Sequence, residues 1–288
     1  MIYKMLALNI DDTLLQDNGR MNKATREAVE YALGKGIAVT LVTSRHFSSA
    51  KRIAKALKTN TDIVSHHGAF IGTDLNKPIF VKRINEQSAS EIATLLESFD
   101  CRIKLVHESY SLGNKVQLPD NMMARVVFQS SSRFSYPEQY VDSVSEKLIE
   151  NPVSPPHIEA VFDRQNDLED AKKAIGEMFD EVHCIQTGDR NLVMVPAGVS
   201  KLSGVSYVCE RLGIHRDEVV AIGAGPDDLP MVQWAGLGVA MGNAPKEVRD
   251  AADWITRSCE ENGVAYMVKE HFRKQHRLEF LRKINVIK

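Results

Sequence analysis

Several polar residues of this chain stand close to points where apolar runs would end as buried strands. They are Asn9 with Asp11 and Asp12, Thr43 with Arg45, Lys201, and the segment 223–228 that contains Asp227 and Asp228. Because the carboxyl ends of parallel strands open onto one crevice, we expect these side chains to converge. A hydroxyl, a lysine and several carboxylates in one crevice are the groups that Mg²⁺-assisted phosphoryl transfer uses. Mg²⁺ and the lysine offset the negative charge of the phosphate, while a carboxylate attacks phosphorus or moves a proton.

Each of these residues also has a simpler structural explanation. Taken alone, Thr43 is more often a cap at a strand end, and Lys201 is more often a solvated lysine at a helix start. Only the joint pattern favours an anion-binding site. The adjacent His66 and His67 are a poor metal chelate, because neighbouring residues of a strand point to opposite faces, and we interpret them as loop residues. The glycines of segment 223–228 lack the pattern of a dinucleotide site.

The first 82 residues alternate between short apolar runs and segments of helical periodicity. The predicted elements are a strand in the opening run 6–15, a helix that Asn22 caps and that ends near residue 33, a strand at 37–43, a helix at 51–58, a strand at 62–65 and a hairpin through Phe70 and Ile79. This order of strands and helices is the start of a doubly wound parallel sheet.

The pattern changes near Lys82, after which the strands alternate between polar and apolar residues. The predicted helices are 86–98, 137–148 and 166–179, and the predicted strands are 102–107, 124–128, 158–162, 183–186 and 192–195. Such a mixture is typical of an α+β insert whose sheet has one solvated face.

From Val199 onward the alternation of helix and strand returns. The predicted helices are 201–212, 228–235, 245–252 and 264–272, and the predicted strands are 219–222, 238–241 and 254–256. We therefore predict an α/β fold with a doubly wound, Rossmann-like core of residues 1–82 and 196–288, interrupted by an α+β domain of residues 83–195.

The basic tail 271–288 is expected to pack on the core as a solvated helix, with an oligomer contact or an anionic partner as the alternative.

Composition narrows the classes of function further. The 288 residues carry a formal net charge of −2 and a sequence pI near 6.5, which does not favour a nucleic-acid partner. The four cysteines are scattered and form no C-x-x-C pair, which argues against a disulfide framework and a zinc site. Without a signal peptide pattern or eighteen consecutive apolar residues, we expect a cytoplasmic protein that does not enter a membrane.

The motifs of this chain resemble those of the haloacid dehalogenase (HAD) superfamily, and specifically its Cof-type bacterial branch, in which a large C2-type cap is inserted after the third core strand. The matching segments are D-x-D-G-T-L-L on 9–15, T-G-R on 43–45, S-N-G-A on 65–69, the lysine motif on Ser200 and Lys201, G-D-x-x-N-D on 223–228 and M-G-N-A on 241–244. The sequence is also loosely similar to a bacterial stress-response member of that branch.

This resemblance implies an Mg²⁺-dependent phosphatase of small phosphorylated metabolites. It implies a general acid/base at Asp11, phosphate-binding residues at Thr43, Arg45, Lys201 and Asn243, and metal ligands at Asp11, Asp227 and Asp228.

Two departures from the motifs bear directly on catalysis. The nucleophilic aspartate of the family is replaced by Asn9, and an Mg²⁺-binding aspartate is replaced by Ala224. A carboxamide is a poor nucleophile and a methyl group cannot bind a metal. We therefore expect a catalytically impaired member that keeps an anion-binding crevice and serves in ligand sensing or protein interaction. The alternative is an active phosphatase in which Asp12 or Asp227 rebuilds the metal site.

Overall fold

The computed structural model describes residues 2–59, 61–115 and 136–287. The strand predicted at 124–128 lies outside these residues. The chain divides into two compact units, a core unit of residues 1–82 and 198–288 and an inserted unit of residues 83–197.

The helices and strands are numbered here along the chain. The strands are β1 (Met5–Asn9), β2 (Ala38–Val42), β3 (Ile63–Ser65), β4 (Phe70–Gly72), β5 (Pro78–Val81), β6 (Cys101–Val106), β7 (Ser111–Asn114), β8 (Glu138–Val141), β9 (His157–Phe162), β10 (Val182–Gly188), β11 (Asn191–Pro196), β12 (Val219–Gly223), β13 (Leu237–Ala240) and β14 (Trp254–Ile255). The helices are α1 (Lys23–Gly34), α2 (Phe47–Leu57), α3 (Glu86–Leu96), α4 (Val144–Glu150), α5 (Gln165–Met178), α6 (Lys201–Leu212), α7 (Leu229–Trp234), α8 (Lys246–Ala251), α9 (Gly263–Phe272) and α10 (Leu278–Lys283).

Strand β1 lies inside the core sheet, whose strand order is β14-β13-β12-β1-β2-β3-β4-β5. The six strands from β14 to β3 in this order run parallel to one another. Strand β4 pairs in antiparallel orientation with both of its neighbours, β3 and β5. Leu6 and Leu8 belong to one buried apolar cluster, and Met5 and Ala7 belong to another. The strand is therefore covered on both faces, as a continuous apolar run requires. The predicted doubly wound α/β core is confirmed.

The helix starts of the core unit follow from capping side chains. Asn22 accepts a hydrogen bond from the backbone N–H of Ala24 and begins α1 as predicted. Helix α6 has the predicted bounds, because Ser200 caps it and exchanges hydrogen bonds with Ser203. Helix α2 begins four residues earlier than the predicted 51–58, since the imidazole of His46 accepts from the N–H of Ser49 and caps it.

The basic C-terminal tail packs on the core as expected. Leu278 and Leu281 of α10 are buried, and the N–H of Leu278 donates to the carbonyl of Lys35 at 2.9 Å. Within the described ranges, every helix is too short or too polar to cross a lipid bilayer.

The inserted unit is a sheet in the order β10-β11-β9-β6-β7-β8, with helices packed against one face. Ile103 and Leu105 of β6 are buried in the cluster that contains side chains of α3, α4 and α5. Arg102 and Lys104 alternate with them and are less buried. This alternation confirms the predicted α+β insert with one apolar sheet face.

The helix predicted at 137–148 is wrong in its first half. Residues Glu138–Val141 form strand β8, which pairs in parallel with β7, and the helix α4 begins only at Val144. The carboxylate of Glu97 accepts hydrogen bonds from the N–H groups of Val144 and Ser145, which stabilises the helix start there.

Strand β7 lies in a segment for which the sequence predicted no strand. It pairs with β6 in antiparallel register, and Asn114 accepts a hydrogen bond from the N–H of Ile103. The backbone pairing with β6 therefore outweighs the weak strand preference of the sequence Ser-Leu-Gly-Asn.

A close backbone contact joins the turn after β3 to the start of α6. Gly68 has a φ of +101°, and a Cβ atom built on it would lie 2.1 Å from the carbonyl oxygen of Ser200. A residue with a side chain can adopt neither this dihedral angle nor this distance without displacing the backbone. Gly68 thus helps to place the residue that follows Ser200.

We predict that Gly68→Ala lowers the free energy of unfolding by about 2 kcal/mol or more, from backbone strain and overpacking. Urea unfolding of the full chain measures the change. Gly34→Ala is the matched control, because nothing lies within 4 Å of its added Cβ. A helical Gly→Ala change of this kind is expected to be neutral or to stabilise by about 0.5 kcal/mol. Equal effects of the two substitutions would contradict this account of the contact.

Candidate functional site

Asn9 ends β1 at the carboxyl edge of the core sheet and is only 5% exposed. Its Oδ1 accepts a hydrogen bond from the N–H of Ile10 at 2.8 Å. Its Nδ2 donates to the backbone carbonyl of Asp11 at 3.0 Å and to Oδ2 of Asp228 at 2.8 Å. Both amide hydrogens are therefore used, and the position of the family's nucleophile presents N–H groups to its neighbours.

Lys201 is the first residue of α6, and its ammonium group is buried beside the tip of β1. Its Nζ lies 2.7 Å from Oδ1 of Asp228, 2.9 Å from Oδ2 of Asp227 and 3.5 Å from Oδ1 of Asn9. An ammonium group has three hydrogens, and three acceptors surround it here. Lys201 is thus the common partner of two carboxylates and of the Asn9 carboxamide.

Asp228 is fully buried at the end of the turn Pro226–Asp228, which follows β12. Besides the Asn9 amide, its Oδ2 accepts from the N–H of Ala224 at 2.8 Å and from the N–H of Gly225 at 2.9 Å. With Lys201 on Oδ1, the carboxylate receives four donors, which is close to its full capacity.

Gly223 permits Asp228 to approach the end of β12. A Cβ atom on Gly223 would lie 2.3 Å from the Cβ of Asp228, so only glycine fits at this position. The next residue, Ala224, is buried and offers a methyl group where the family has a metal-binding carboxylate.

His67 lies against Asp227, with its Nδ1 3.3 Å from the Oδ2 atom of the carboxylate. Both His66 and His67 have positive φ and are buried in the turn His66–Gly68, and Nε2 of His66 accepts from the N–H of Phe47. They lie in the turn that follows β3, in agreement with their interpretation as loop residues, but this turn buries both rings. His67 is a member of the site that the sequence analysis did not identify.

Asp11 follows the tip of β1 and is held by Arg45. The Nε and Nη2 atoms of Arg45 both donate to its carboxylate, and Nη1 donates to Oγ of Ser49 at 3.2 Å. The hydrogen bond to Asp11 raises the pKa of Arg45. The family's general acid/base position is therefore engaged in a two-point ion pair.

Asp12 is exposed and has a φ of 56°, in the left-handed region where the family has glycine. Partial burial and the nearby charges of Asp11 and Asp17 raise the pKa of its carboxyl group. Its backbone carbonyl accepts from Nδ2 of Asn243 at 2.9 Å.

The remaining predicted phosphate ligands also have partners within the core unit. Oγ1 of the buried Thr43 accepts from the N–H of Arg45 at 3.1 Å. Oδ1 of Asn243 accepts from the N–H of Cys259 at 3.0 Å, so its carboxamide links two loops at the edge of the sheet. The structure thus brings Lys201 and Asp228 into direct contact with Asn9 and places Asp227 against Lys201, while Asn243 contacts the turn after β1.

Burial and charge act in opposite directions on the ionisable groups here. Burial favours a lower pKa for Lys201, but the charges of Asp228 and Asp227 outweigh it and raise the pKa. Burial favours a higher pKa for Asp227, but the charge of Lys201 and the contact with His67 hold it below its ordinary value. The ammonium and the Asp227 carboxylate are therefore charged at neutral pH.

The donor set does not fit Mg²⁺, the ion that the family implies. Mg²⁺ needs oxygen ligands in near-octahedral geometry. Here Asn9 directs N–H groups at the Asp11 carbonyl and at Asp228, and Ala224 supplies no oxygen. The Asp11 carbonyl and both oxygens of Asp228 already accept hydrogen bonds from the protein.

Comparison with known proteins identifies the family of this chain. A model of the haloacid dehalogenase-like hydrolases matches residues 6–268. The chain also shares 46% identity over 286 residues with the stress response protein YhaX of Bacillus subtilis (strain 168), covering 99% of both chains. The protein therefore belongs to the haloacid dehalogenase-like hydrolase family, and the resemblance seen in its motifs is confirmed.

More distant relatives carry names that refer to phosphatases. The chain is 25% identical over 285 residues to the 5-amino-6-(5-phospho-D-ribitylamino)uracil phosphatase YwtE of B. subtilis, covering 93% of this chain and 97% of the relative. A haloacid dehalogenase-like hydrolase from B. subtilis superposes with a TM-score of 0.80 at 23% identity, over 93% of this chain and 99% of the other. A sugar phosphatase of HAD subclass IIB superposes with a TM-score of 0.76 at 20% identity, over 94% and 99%. These solved structures share the fold.

We predict that Lys201→Met lowers the free energy of unfolding by about 3–5 kcal/mol, because it leaves two buried carboxylates without their cation. Thermal and urea unfolding of the full chain measure the loss. Lys246→Met is the control, since the Lys246 side chain is 84% exposed and lies 3.9 Å from Asp250. Its substitution is expected to change stability by less than about 0.5 kcal/mol. A Lys201 variant as stable as the control would contradict the arrangement of charges described above.

Proposed function

We propose that this HAD-family protein is impaired in phosphoryl transfer and retains a crevice that holds a small phosphorylated molecule without hydrolysing it efficiently. The observation that carries the proposal is the Asn9 carboxamide at the tip of β1, with its two hydrogens donated to Asp11 and Asp228.

The chemistry of the nucleophile supports impaired catalysis. A carboxylate attacks phosphorus through a charged oxygen, whereas the carboxamide is neutral and its Oδ1 is engaged by the N–H of Ile10. In a serine protease, removal of the covalent nucleophile costs on the order of a million-fold in turnover, or about 8 kcal/mol of barrier. Ala224 adds the loss of a carboxylate that would place a metal beside the phosphate.

The proposed binding residues for the phosphate are Thr43, Arg45, Lys201 and Asn243. Arg45 and Lys201 already pair with carboxylates, so a phosphate must compete with Asp11 and Asp227 for them. We therefore expect weak binding, with a dissociation constant of about 1 mM. Such a site suits a sensor of an abundant phosphorylated metabolite in the cytoplasm, and the name of the B. subtilis relative makes stress the first condition to examine.

The second candidate is an active Mg²⁺-dependent phosphatase of small phosphorylated metabolites, and the phosphatase names of several relatives favour it. It requires Asp12 or Asp227 to replace the lost ligands. Asp227 accepts from Lys201, while Asp12 is exposed on a turn of positive φ. Both would have to rearrange to ligate a metal.

We predict that the wild type is nearly inactive on a panel of sugar phosphates, nucleotides and an aryl phosphate with Mg²⁺. The double variant Asn9→Asp, Ala224→Asp restores the carboxylates, and its turnover of the aryl phosphate is expected to rise by at least about a hundredfold. Released phosphate, measured under multiple-turnover conditions, is the readout.

Adding Lys201→Ala to the restored variant is the control, because the gain must depend on the crevice. Wild-type turnover near one per second or faster, abolished by Asp11→Ala, would overturn the proposal and favour the active phosphatase (about 10 s⁻¹ is typical of enzymes). A folded double variant with no gain would mean that the crevice differs from active members at further positions.

A further inference from the structure

We propose that the crevice is built to work without a divalent cation, because the Asn9 carboxamide and the Lys201 ammonium engage the oxygens of Asp11 and Asp228 that could otherwise hold a metal. The inference deepens the proposed function and rests on it for the role of the crevice. The inference concerns only whether a cation binds, so the inference and the proposed function can fail separately.

The orientation of the Asn9 carboxamide follows from its partners. Nδ2 faces two acceptors, the Asp11 carbonyl at 3.0 Å and Oδ2 of Asp228 at 2.8 Å, while Oδ1 faces the N–H of Ile10. The flipped amide would set oxygen against two oxygens and N–H against N–H. The group at the tip of β1 therefore donates hydrogen bonds where a metal would accept lone pairs.

Both oxygens of Asp228 are already engaged by donors of the protein. Its carboxylate receives N–H groups from Asn9, Ala224 and Gly225 on Oδ2 and the ammonium of Lys201 on Oδ1. The two oxygens of a carboxylate offer about four lone-pair sites in all, and four donors contact this one, three on Oδ2 and one on Oδ1. An incoming cation would have to displace several of these buried donors and leave them unsatisfied.

The Oδ2 atom of Asp227 is also engaged by groups of the chain. Lys201 lies 2.9 Å from its Oδ2, and His67 lies 3.3 Å from the same atom. The family motifs have asparagine at the position of Asp227 and in the segment occupied by His66 and His67. Ionisable residues therefore stand where the family has neutral ones, and two of them, His67 and Asp227, contact each other. The ammonium of Lys201 thus supplies positive charge to both carboxylates.

The substitution Asn9→Asp should convert this crevice into one that needs a cation. The new carboxylate would face Asp228 across a distance that is now a hydrogen bond of 2.8 Å, and its like charge would repel Asp228. Mg²⁺ would then relieve the repulsion, and the added carboxylate of Ala224→Asp would strengthen its binding.

The experiment measures the melting temperature of the full chain in EDTA and in about 10 mM MgCl₂, a concentration that saturates weak sites. For the wild type we expect a difference of less than about 1 °C. For Asn9→Asp with Ala224→Asp we expect a fall of about 5 °C in EDTA and recovery of most of it with Mg²⁺. CaCl₂ serves as a second salt, because Ca²⁺ tolerates a looser geometry.

Asn22→Asp is the matched control, since it makes the same chemical change at the N-cap of α1, where aspartate caps equally well. The melting temperature of this control should be the same in EDTA and in MgCl₂. If the double variant does not fold, isothermal titration of Mg²⁺ into the wild type remains decisive, and we expect no saturable heat up to about 10 mM.

A saturable Mg²⁺ site in the wild type, lost in Asp228→Asn, would overturn this inference and leave the proposed function standing if turnover stays absent. Efficient phosphate release that persists in EDTA would overturn the proposed function and leave the metal-free crevice standing. A double variant that is indifferent to Mg²⁺ would also contradict the inference, because the two substitutions would then not account for the lost site.

Discussion

The hydrogen bond between Nδ2 of Asn9 and Oδ2 of Asp228 is the interaction around which the site is arranged. It joins the tip of β1 to the turn after β12, and Lys201 closes the group by contacting both residues. In an active phosphatase of this fold, a carboxylate in place of Asn9 would repel Asp228 unless a cation lay nearby. Here the carboxamide carries no negative charge and contributes two hydrogen-bond donors. The polar groups of the cluster therefore pair with one another and need no added cation.

The rest of the core can be understood as support for this cluster. Strand β1 delivers Asn9 from the middle of a sheet that is covered on both faces. Two glycines permit close approaches, Gly68 to the carbonyl before Lys201 and Gly223 to the Cβ of Asp228. Buried charges are costly when they lose a partner, so a network of this kind needs rigid surroundings. The geometry of the backbone supplies them.

Much of the core could be predicted from the sequence, because its signals are local. Continuous apolar runs indicated the parallel strands, and capping side chains such as Ser200 gave α6 its correct bounds. In the inserted unit, β7 and β8 were missed because their pairing with other strands, and not their own residues, makes them strands. The contact of His67 with Asp227 was missed for a similar reason, since two residues far apart in the chain meet only after folding.

Crystals of the wild type grown or soaked with Mg²⁺, or with Mn²⁺ for its anomalous signal, test the central claim most directly. The account predicts that Nδ2 of Asn9 stays within hydrogen-bonding distance of Asp228, as at 2.8 Å here, and that no ion lies between them. An octahedrally coordinated ion bound by Asp11, Asp227 or Asp228, with the Asn9 carboxamide turned to offer its oxygen, would contradict it.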